Sequence, residues 1–278
     1  MVTSNKKNKM SVQLCYESAG FEFYITTNQG GASAPPFGGF NLGLHVGEDS
    51  EIVRKNRAQV CSDLGIPVVF LAQEHTVNIF DSRSIPLPAR FGLSDLGPGI
   101  DGFVGHGEAS ALAIMGADCY PVFVFSSATG VFGGAHCGWR GSVAGIIEQL
   151  VATVLNDADT PCHSDATKKI GLRAVIGPGI CKGCYEVGNG FASDSGSEVQ
   201  PYLQPVRNGE KQLFDLRSLI IAKLHNAGIT NIHLIECCTL EDEGLYSYRR
   251  ATLNGEPVTG RGALIIKPVA RKTNEFVQ

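Results

Sequence analysis

Three apolar runs, Ala111 to Met115, Pro121 to Phe125 and Val131 to Ala135, crowd together around the stretch Gly116 to Gly145. Each is too short for a helix and is bounded by turn residues, so each is predicted as a buried strand. Cys119 and His136 then fall at strand ends. Beyond His136, Gly138 and Gly141 frame Trp139 and Arg140, and Ser142 is predicted to cap a helix carrying Val143, Ile146, Ile147 and Leu150 on one face. A strand, a tight glycine turn and a helix start make the kind of corner at which α/β sheets meet anions and ligands.

The remaining elements follow from periodicity and punctuation. Phe21, Phe23 and Ile25 predict one strand within Tyr16 to Thr27, running into the glycine- and proline-rich loop Asn28 to Phe40. Asp49 is the N-cap of a helix lined by Ile52, Val53, Val60 and Leu64 and closed by Gly65. Val68 to Leu71 is a strand that delivers Gln73, Glu74 and His75 at its far end. Asp81 to Gly107, with Pro86, Pro88 and Pro98, is expected to be a loop able to cover a site, with at most a short strand near Gly102 to Val104. Asn156 to Lys169 is expected on the surface, and Ile170 to Ile176 is a strand. Phe191 to Val206 is expected to be helical and then irregular. Asp215 caps a helix with Leu216, Leu219, Ile220 and Leu224 on one face and Gly228 past its end. Ile232 to Glu236 and Gly262 to Lys267 are strands, with a polar aromatic stretch, Tyr246 to Arg250, between them. No repeat or linker interrupts this alternation. It predicts a mixed α+β fold, a layered sandwich of sheets and helices in one domain over 13–270, with a disordered start (1–12) and a tail (271–278).

Composition narrows the function classes. With 278 residues, 43% hydrophobic and 18% charged, the chain can bury a sizeable core. A net charge of −4 with no basic cluster beyond the first residues argues against a nucleic-acid partner. The polar, basic start has no apolar segment behind it and is not a signal peptide, and the most apolar stretch is interrupted by Asp118, so no membrane span is expected. A cytoplasmic protein is the expectation. Nine cysteines, an odd number thinly spread, indicate reduced thiols. Cys181 and Cys184 with Cys237 and Cys238 have the makings of a four-cysteine zinc site, but one CxxC without a second is a weak signal and buried free thiols are the simpler reading.

Several residues have both a chemical and a structural reading. Cys119 and His136 suit either a metal site or a thiol nucleophile with its base, as in a Cys-His hydrolase, and a metal-bound thiolate cannot serve as both. An isolated histidine or cysteine is otherwise a packed core residue. Arg140 can bind phosphate or pair with Asp118. Trp139 can stack on a base or simply pack. Asn41, Gln73 and Asp118 can orient a ribose hydroxyl, a water or a metal ligand, although Asn41 can equally satisfy turn backbone. Arg249, Arg250 and Arg261 are phosphate anchors or ion-pair partners. His45 is near enough in sequence to the Asn41 loop to approach the site, whereas His106, His163, His225 and His233 are expected at the surface.

With these residues laid out, the chain resembles the laccase-domain family, also called the YfiH or peptidoglycan-editing-factor family and formerly labelled multicopper polyphenol oxidase. The motifs that carry the resemblance span nearly the whole chain: Asn41 to Gly47 with Asn56-Arg57, Gln73-x-His75, Ala117-Asp118-Cys119, His136 with Gly138-Trp139-Arg140-Gly141, Ile176-Gly177-Pro178, Tyr185 to Gly188, and Tyr248-Arg249-Arg250 with Gly260-Arg261. The resemblance implies a mononuclear catalytic zinc held by His75, Cys119 and His136. It also implies phosphorolysis of adenosine, inosine, guanosine or methylthioadenosine, with deamination of adenosine. The ligand spacings, 44 residues from 75 to 119 and 17 from 119 to 136, match no short metal signature, so the trio as a set rests on the resemblance.

Three protein ligands with an open fourth position is the catalytic zinc arrangement. In this reading Asn41, Gln73 and Arg140 bind nucleoside and phosphate. Cys137, where the family usually has alanine, is an additional candidate ligand. Other readings are a cell-wall precursor editing or quality-control protein, and a copper polyphenol oxidase. The multicopper version needs about ten histidines, against seven here. Both monomer and homodimer are compatible with the sequence.

Overall fold

The computed structural model describes residues 11–83, 93–107, 109–126, 128–156, 171–206 and 209–269. The expected surface loop after Asn156 and the expected C-terminal tail lie outside these residues, as do the first ten residues of the expected disordered start. His163 also lies outside them.

In chain order the strands and helices are β1 (Val12–Ser18), β2 (Phe21–Thr26), α1 (Ser50–Leu64), β3 (Val68–Ala72), β4 (Ile79–Asp81), β5 (Asp95–Pro98), β6 (Gly102–His106), β7 (Ala111–Gly116), β8 (Tyr120–Ser126) and β9 (Val131–Cys137). There follow α2 (Trp139–Ala144), α3 (Ile146–Leu155), β10 (Leu172–Ile176), β11 (Glu186–Gly188), α4 (Phe191–Ser195), β12 (Leu203–Pro205), β13 (Lys211–Phe214), α5 (Leu216–Asn226), β14 (Asn231–Leu234), α6 (Tyr248–Leu253) and β15 (Gly262–Pro268). Among the described residues they form two six-stranded mixed sheets, ordered β1-β2-β15-β7-β3-β5 and β14-β10-β8-β9-β6-β4, and a small antiparallel sheet, β11-β13-β12. The fold is mixed α+β, as the alternation of elements predicts.

The two large sheets face each other. Phe21, Phe23, Val69, Leu71, Leu112 and Ile114 of the first pack on Phe103, Phe123, Phe125, Phe132 and Val175 of the second. Their rings meet in tilted or edge geometry, Phe21 to Phe125 at 5.0 Å and Phe23 to Phe123 at 6.0 Å, arrangements that aromatic quadrupoles favour. The outer face of the first sheet is covered by α1 through Val60 and Leu64. The outer face of the second is covered by α3 and α5 through Ile147, Leu150, Leu216, Leu219, Ile220 and Leu224. Both of the better-signalled helices begin as expected: the side chain of Asp49 accepts from the Glu51 amide and that of Asp215 from the Ser218 amide.

Several elements differ from the sequence expectation for identifiable reasons. The single strand over Tyr16 to Thr27 is a hairpin, because Ala19 and Gly20 both adopt left-handed backbone (φ 55° and 86°), as a two-residue primed turn requires. Ser142 is not a helix cap: it is buried within α2, whose N-cap is Gly138, and Gly145 at φ 100° separates α2 from α3. Within Asp81 to Gly107, β6 is the short strand expected near Gly102 to Val104, and β5 is a further strand that adds to the edge of the first sheet. Tyr246 to Arg250 leads into α6, capped by Ser247, which accepts from the Arg250 amide at 3.1 Å. Among the described residues no helix is long and apolar enough to cross a membrane.

β9 shows why the layers sit so close. Its side chains alternate, so Phe132, Gly134 and His136 face the first sheet while Val131, Ala135 and Cys137 face the α3 layer. A Cβ at Gly134 would lie 2.5 Å from the ring of Phe123 and 3.0 Å from Leu112. Gly134→Ala should therefore destabilise the protein by about 1–3 kcal/mol through overpacking. A chemical-denaturation midpoint unchanged from the parent would contradict this packing.

Candidate functional site

The site lies where the two large sheets meet at one end. The chain leaves β3 of the first sheet at His75, passes from β7 of the first sheet to β8 of the second through Cys119, and brings His136 up as the last inward-facing residue of β9. The ligand-type atoms of His75, Cys119 and His136 all lie within 4.8 Å of one another. Cys119 Sγ is 3.7 Å from His75 Nε2, and the two imidazole rings stand edge to face at 4.6 Å. His136 is buried, Cys119 half-buried and His75 exposed, so the group opens to one side.

Both turns that present these residues are strained. His75 sits at φ 62° and Asp118, immediately before Cys119, at φ 95°. Left-handed backbone at a non-glycine residue costs on the order of 1–3 kcal/mol and persists only where its surroundings enforce it. At His75 the enforcement comes from the fully buried carboxylate of Asp101. Its Oδ2 accepts from the Glu74 amide at 2.9 Å, the Thr76 amide at 2.7 Å and the Thr76 hydroxyl at 3.0 Å; its Oδ1 accepts from the His75 amide and lies on His136 Nδ1, both at 2.9 Å. At Asp118 the carboxylate itself does the tethering: Oδ1 accepts from the Thr239 hydroxyl and Oδ2 from the Arg249 amide, both at 2.7 Å.

These contacts set the protonation of the group. Burial opposes a charged Asp101, but His136 and the converging amides outweigh it and hold the carboxyl at about 2. Burial likewise opposes charge on His136, yet the thiolate of Cys119 and the Asp101 carboxylate raise it to about 9. For Cys119 burial is again the largest opposing effect, overcome by the charge of His136 and by hydrogen bonds from both imidazoles, which bring the thiol down to about 6. With Nδ1 of His136 committed to Asp101, Nε2 is the nitrogen left for the group.

The three residues line a cavity of about 740 Å³, a size that suits a small organic ligand. Arg140, Arg249 and Arg261 reach it from three different segments, and Tyr185, Tyr248 and Leu253 supply apolar surface. The Arg140 guanidinium lies 4.5 Å from the Trp139 ring, which itself packs edge-on against Phe191 at 5.0 Å. Arg140 is thus oriented by the indole and not by Asp118. Arg249 donates to the Glu186 carbonyl at 2.8 Å, and Arg261 to those of Thr259 and Gly260. His45 also lines the cavity and is pushed down to about 4 by burial and then by the charge of Arg261, which keeps it neutral.

Other residues singled out in the sequence have different surroundings. Gln73 reaches the cavity wall while its amide exchanges two hydrogen bonds with the Met115 backbone, at 2.8 and 2.9 Å. Asn41 is fully buried and does not line the cavity. Its side chain is consumed by the Gly43 backbone, the Arg261 amide and Glu48, so it shapes the loop under Arg261. Cys137 points into the α3 layer, away from His136, as adjacent strand residues must, and is no candidate ligand. Arg250 is structural, donating to the carbonyls of Thr239, Leu240, Asp242 and Leu245. Asp101 gave no sequence signal as part of the site, and Tyr185 appeared only within the Tyr185 to Gly188 motif, with no role of its own.

A sandwich of two mixed sheets carries at its edge an open His-Cys-His group, of residue types that could hold a metal ion, in a cavity walled by arginines. The chain belongs to the family described as multi-copper polyphenol oxidoreductase laccase, which residues 22–268 match. It is 32% identical over 229 residues to a purine nucleoside phosphorylase of Deinococcus radiodurans, covering 81% of this chain and 82% of that one. It is 29% identical over 266 residues to the purine nucleoside phosphorylase YfiH of Escherichia coli, covering 93% and 98%. In three dimensions it is similar to the crystal structure of YlmD from Geobacillus stearothermophilus, with a TM-score of 0.80 and 27% identity over 95% of this chain and 98% of that one.

The depression of the Cys119 thiol to about 6 makes the His-Cys-His coupling testable. Alkylation of Cys119 by iodoacetamide, followed by peptide mass spectrometry, should fall as pH drops through a midpoint near 6. Asp101→Asn withdraws the negative charge that favours the His136 cation, so the midpoint should move upward. A midpoint near 9 in the parent protein would contradict the coupling.

Proposed function

We propose that this chain is a zinc-dependent purine nucleoside phosphorylase that also deaminates adenosine, working as a single domain over 13–270 with His75, Cys119 and His136 as the metal ligands. The observation that carries the reading is the convergence of those three side chains on the floor of an arginine-walled cavity. Support also comes from the names of the relatives, several of which are purine nucleoside phosphorylases.

The donor set fits the metal. Two imidazole nitrogens and one thiolate with a free side are what a catalytic zinc takes. Asp101 supplies the carboxylate partner that such histidines use to fix their tautomer. Space is kept for an ion: a Cβ at Gly138 would lie 2.8 Å from the His75 ring and 2.9 Å from Cys119 Sγ, so glycine leaves the near side of the group clear. Copper suits the same donors, and the family description points to it. Zinc is proposed because nucleoside cleavage and deamination call for Lewis acidity and involve no redox step.

Bound there, the ion supplies Lewis acidity to an oxygen in the cavity. The chain's own residues do the rest of the positioning. Arg140, Arg249 and Arg261 hold phosphate against the sugar, opposite the charge that develops as the C1′–N9 bond opens. The bond from C1′ to a phosphate oxygen forms as the C1′–N9 bond breaks, and the proton of hydrogen phosphate passes to the departing base; the products are the free purine and ribose 1-phosphate, or 5-methylthioribose 1-phosphate from methylthioadenosine. Tyr248 and Leu253, 54% and 71% exposed at the mouth, supply faces for the base. In deamination, water adds at C6 of adenine and ammonia leaves. The thiolate and imidazolium of the metal-free group also match a Cys-His hydrolase, and the response to chelation separates the two: a chelator silences the proposed enzyme and would free a thiol nucleophile.

Zinc-loaded protein given adenosine, inosine, guanosine and methylthioadenosine should release base only with phosphate and convert adenosine to inosine without it. Cys119→Ala should lower both activities by about 100-fold or more, the scale of losing a metal ligand or its support. Arg140→Ala should raise the KM for phosphate by about 10-fold, equivalent to one charge-assisted hydrogen bond, with the nucleoside KM little changed. Stoichiometric zinc with no turnover of any of the four nucleosides would overturn the proposal.

A further inference from the structure

Behind the cavity, two loops that bear no resemblance-derived role bring a second set of metal-ligand atoms together. One follows β10 and contains Cys181 and Cys184 at the two ends of a single 3₁₀ turn, Lys182–Cys184 with Cys181 as its N-cap, closed by the Cys184 amide donating to the Cys181 carbonyl at 3.0 Å. The other follows β14 and contains Cys238 and Glu241. A parallel bridge between Gly179 and Cys238, with the Thr239 amide donating to the Gly179 carbonyl at 3.2 Å, sets the two loops side by side. The three thiols and one Glu241 oxygen all lie within 4.8 Å of one another. All three cysteines are free and the group is partly buried, with Glu241 on its solvent side.

The geometry points to a second metal site, a closed tetrahedral centre of Cys181, Cys184, Cys238 and Glu241 that takes one zinc-class ion and serves as a structural clamp. It is independent of the nucleoside chemistry proposed above. Four ligands from two loops, mostly thiolates, are the structural pattern for this ion, in contrast to the three-ligand open group at His75. Two features prepare the site. The Cys181 amide already donates to Cys238 Sγ at 3.3 Å, a bond that favours the sulfur as thiolate. Cys184 Sγ lies 3.5 Å from Glu241 Oε1, so thiol and carboxylate face one centre. The Arg250 guanidinium, donating to the carbonyls of Thr239, Leu240 and Asp242, ties down the backbone of the loop that carries Cys238 and Glu241. Cys237 is not a ligand: its thiol turns the other way, 3.3 Å from Asp242 Oδ2, so the adjacent cysteine pair contributes one sulfur and not two.

The clamp has a mechanical consequence for the cavity. The loop it would fix on one side carries Ile180 and Tyr185, which line the cavity, and Ile180 donates to the Asp118 carbonyl at 2.9 Å. The loop on the other side carries Thr239, whose hydroxyl holds the Asp118 carboxylate. Asp118 is the strained residue that presents Cys119, so the second ion would brace the first site from behind.

Elemental analysis of the full chain, purified with zinc under non-chelating reducing conditions, tests this. Two zinc equivalents per chain are expected for the parent and for Cys237→Ser. One is expected for Cys181→Ser, Cys184→Ser or Cys119→Ser, and none for Cys119→Ser combined with Cys184→Ser. If the Cys184 variants do not fold, cobalt-loaded Cys119→Ser should still show intense sulfur-to-cobalt charge-transfer absorption, because its remaining site is thiolate-rich. A Cys119→Ser protein that holds no zinc and gives no such band overturns the second site and leaves the first intact. Conversely, one equivalent that survives Cys119→Ser and is lost in Cys184→Ser supports the second site even if the first binds nothing. A disulfide among Cys181, Cys184 and Cys238 in freshly reduced-purified protein would also overturn it.

Discussion

The carboxylate of Asp101 ties together three segments that are far apart in the chain. It receives three consecutive amides and a hydroxyl from residues 74–76 and orients the imidazole of His136. Each of those donors would be costly to bury unpaired. By satisfying them at one point, Asp101 makes the left-handed conformation of His75 the best-bonded one available to that turn, and the same two oxygens fix which nitrogen of His136 faces Cys119. Placement of the backbone and choice of tautomer therefore come from a single group. The carboxylate is itself held in register because the His136 amide donates to the Asp101 carbonyl at 2.8 Å at the edge of the β6-β9 pair.

The sandwich explains why these segments can meet. Alternation along β9 sends Gly134 and His136 toward the first sheet and Cys137 toward the helices, and the glycine lets the Phe123 ring fill the space a side chain would take. Close sheets bring the end of β3 within reach of the end of β9, and the β7-β8 connection crosses between them at Cys119. The cavity then forms at this open end, where α6 and the loop after β10 wall it with arginine and tyrosine. Rigid strands position the inner residues, while loops supply the variable ones, a division common to binding sites.

What was legible in the sequence was local. Apolar runs fixed the central strands, and Asp49, Gly65, Asp215 and Gly228 marked helix ends whose caps the structure contains. The hairpin at Ala19-Gly20 escaped because it lacks the usual Asn-Gly or Asp-Gly signal, and α6 escaped because Tyr248 to Leu253 is a short polar segment with no apolar stripe of its own. The trio at the cavity floor is separated by sheet-to-sheet distances in sequence, so spacing alone was silent and only motif resemblance grouped it. Asp101 was invisible for a physical reason: an acceptor of backbone amides leaves no pattern in residue types. Asn41 misled for the converse reason, since a buried amide that closes its own turn looks, in sequence, like one poised for a ligand. Cys181, Cys184 and Cys238 were visible in the sequence, but Glu241 was not, and spacing alone could not tell that Cys238 joins the pair while Cys237 lies against Asp242.

Anomalous diffraction at the zinc edge from crystals of the zinc-loaded protein is the most direct test of the central claim, that Asp101, by fixing His75 and His136 opposite the Cys119 turn that Asp118 tethers, sets the three up as one ion-binding group. The account predicts a peak bonded to His75 Nε2, His136 Nε2 and Cys119 Sγ at about 2.0–2.3 Å, with Asp101 still on His136 Nδ1. A fully zinc-loaded crystal with no anomalous density between these three side chains would contradict it.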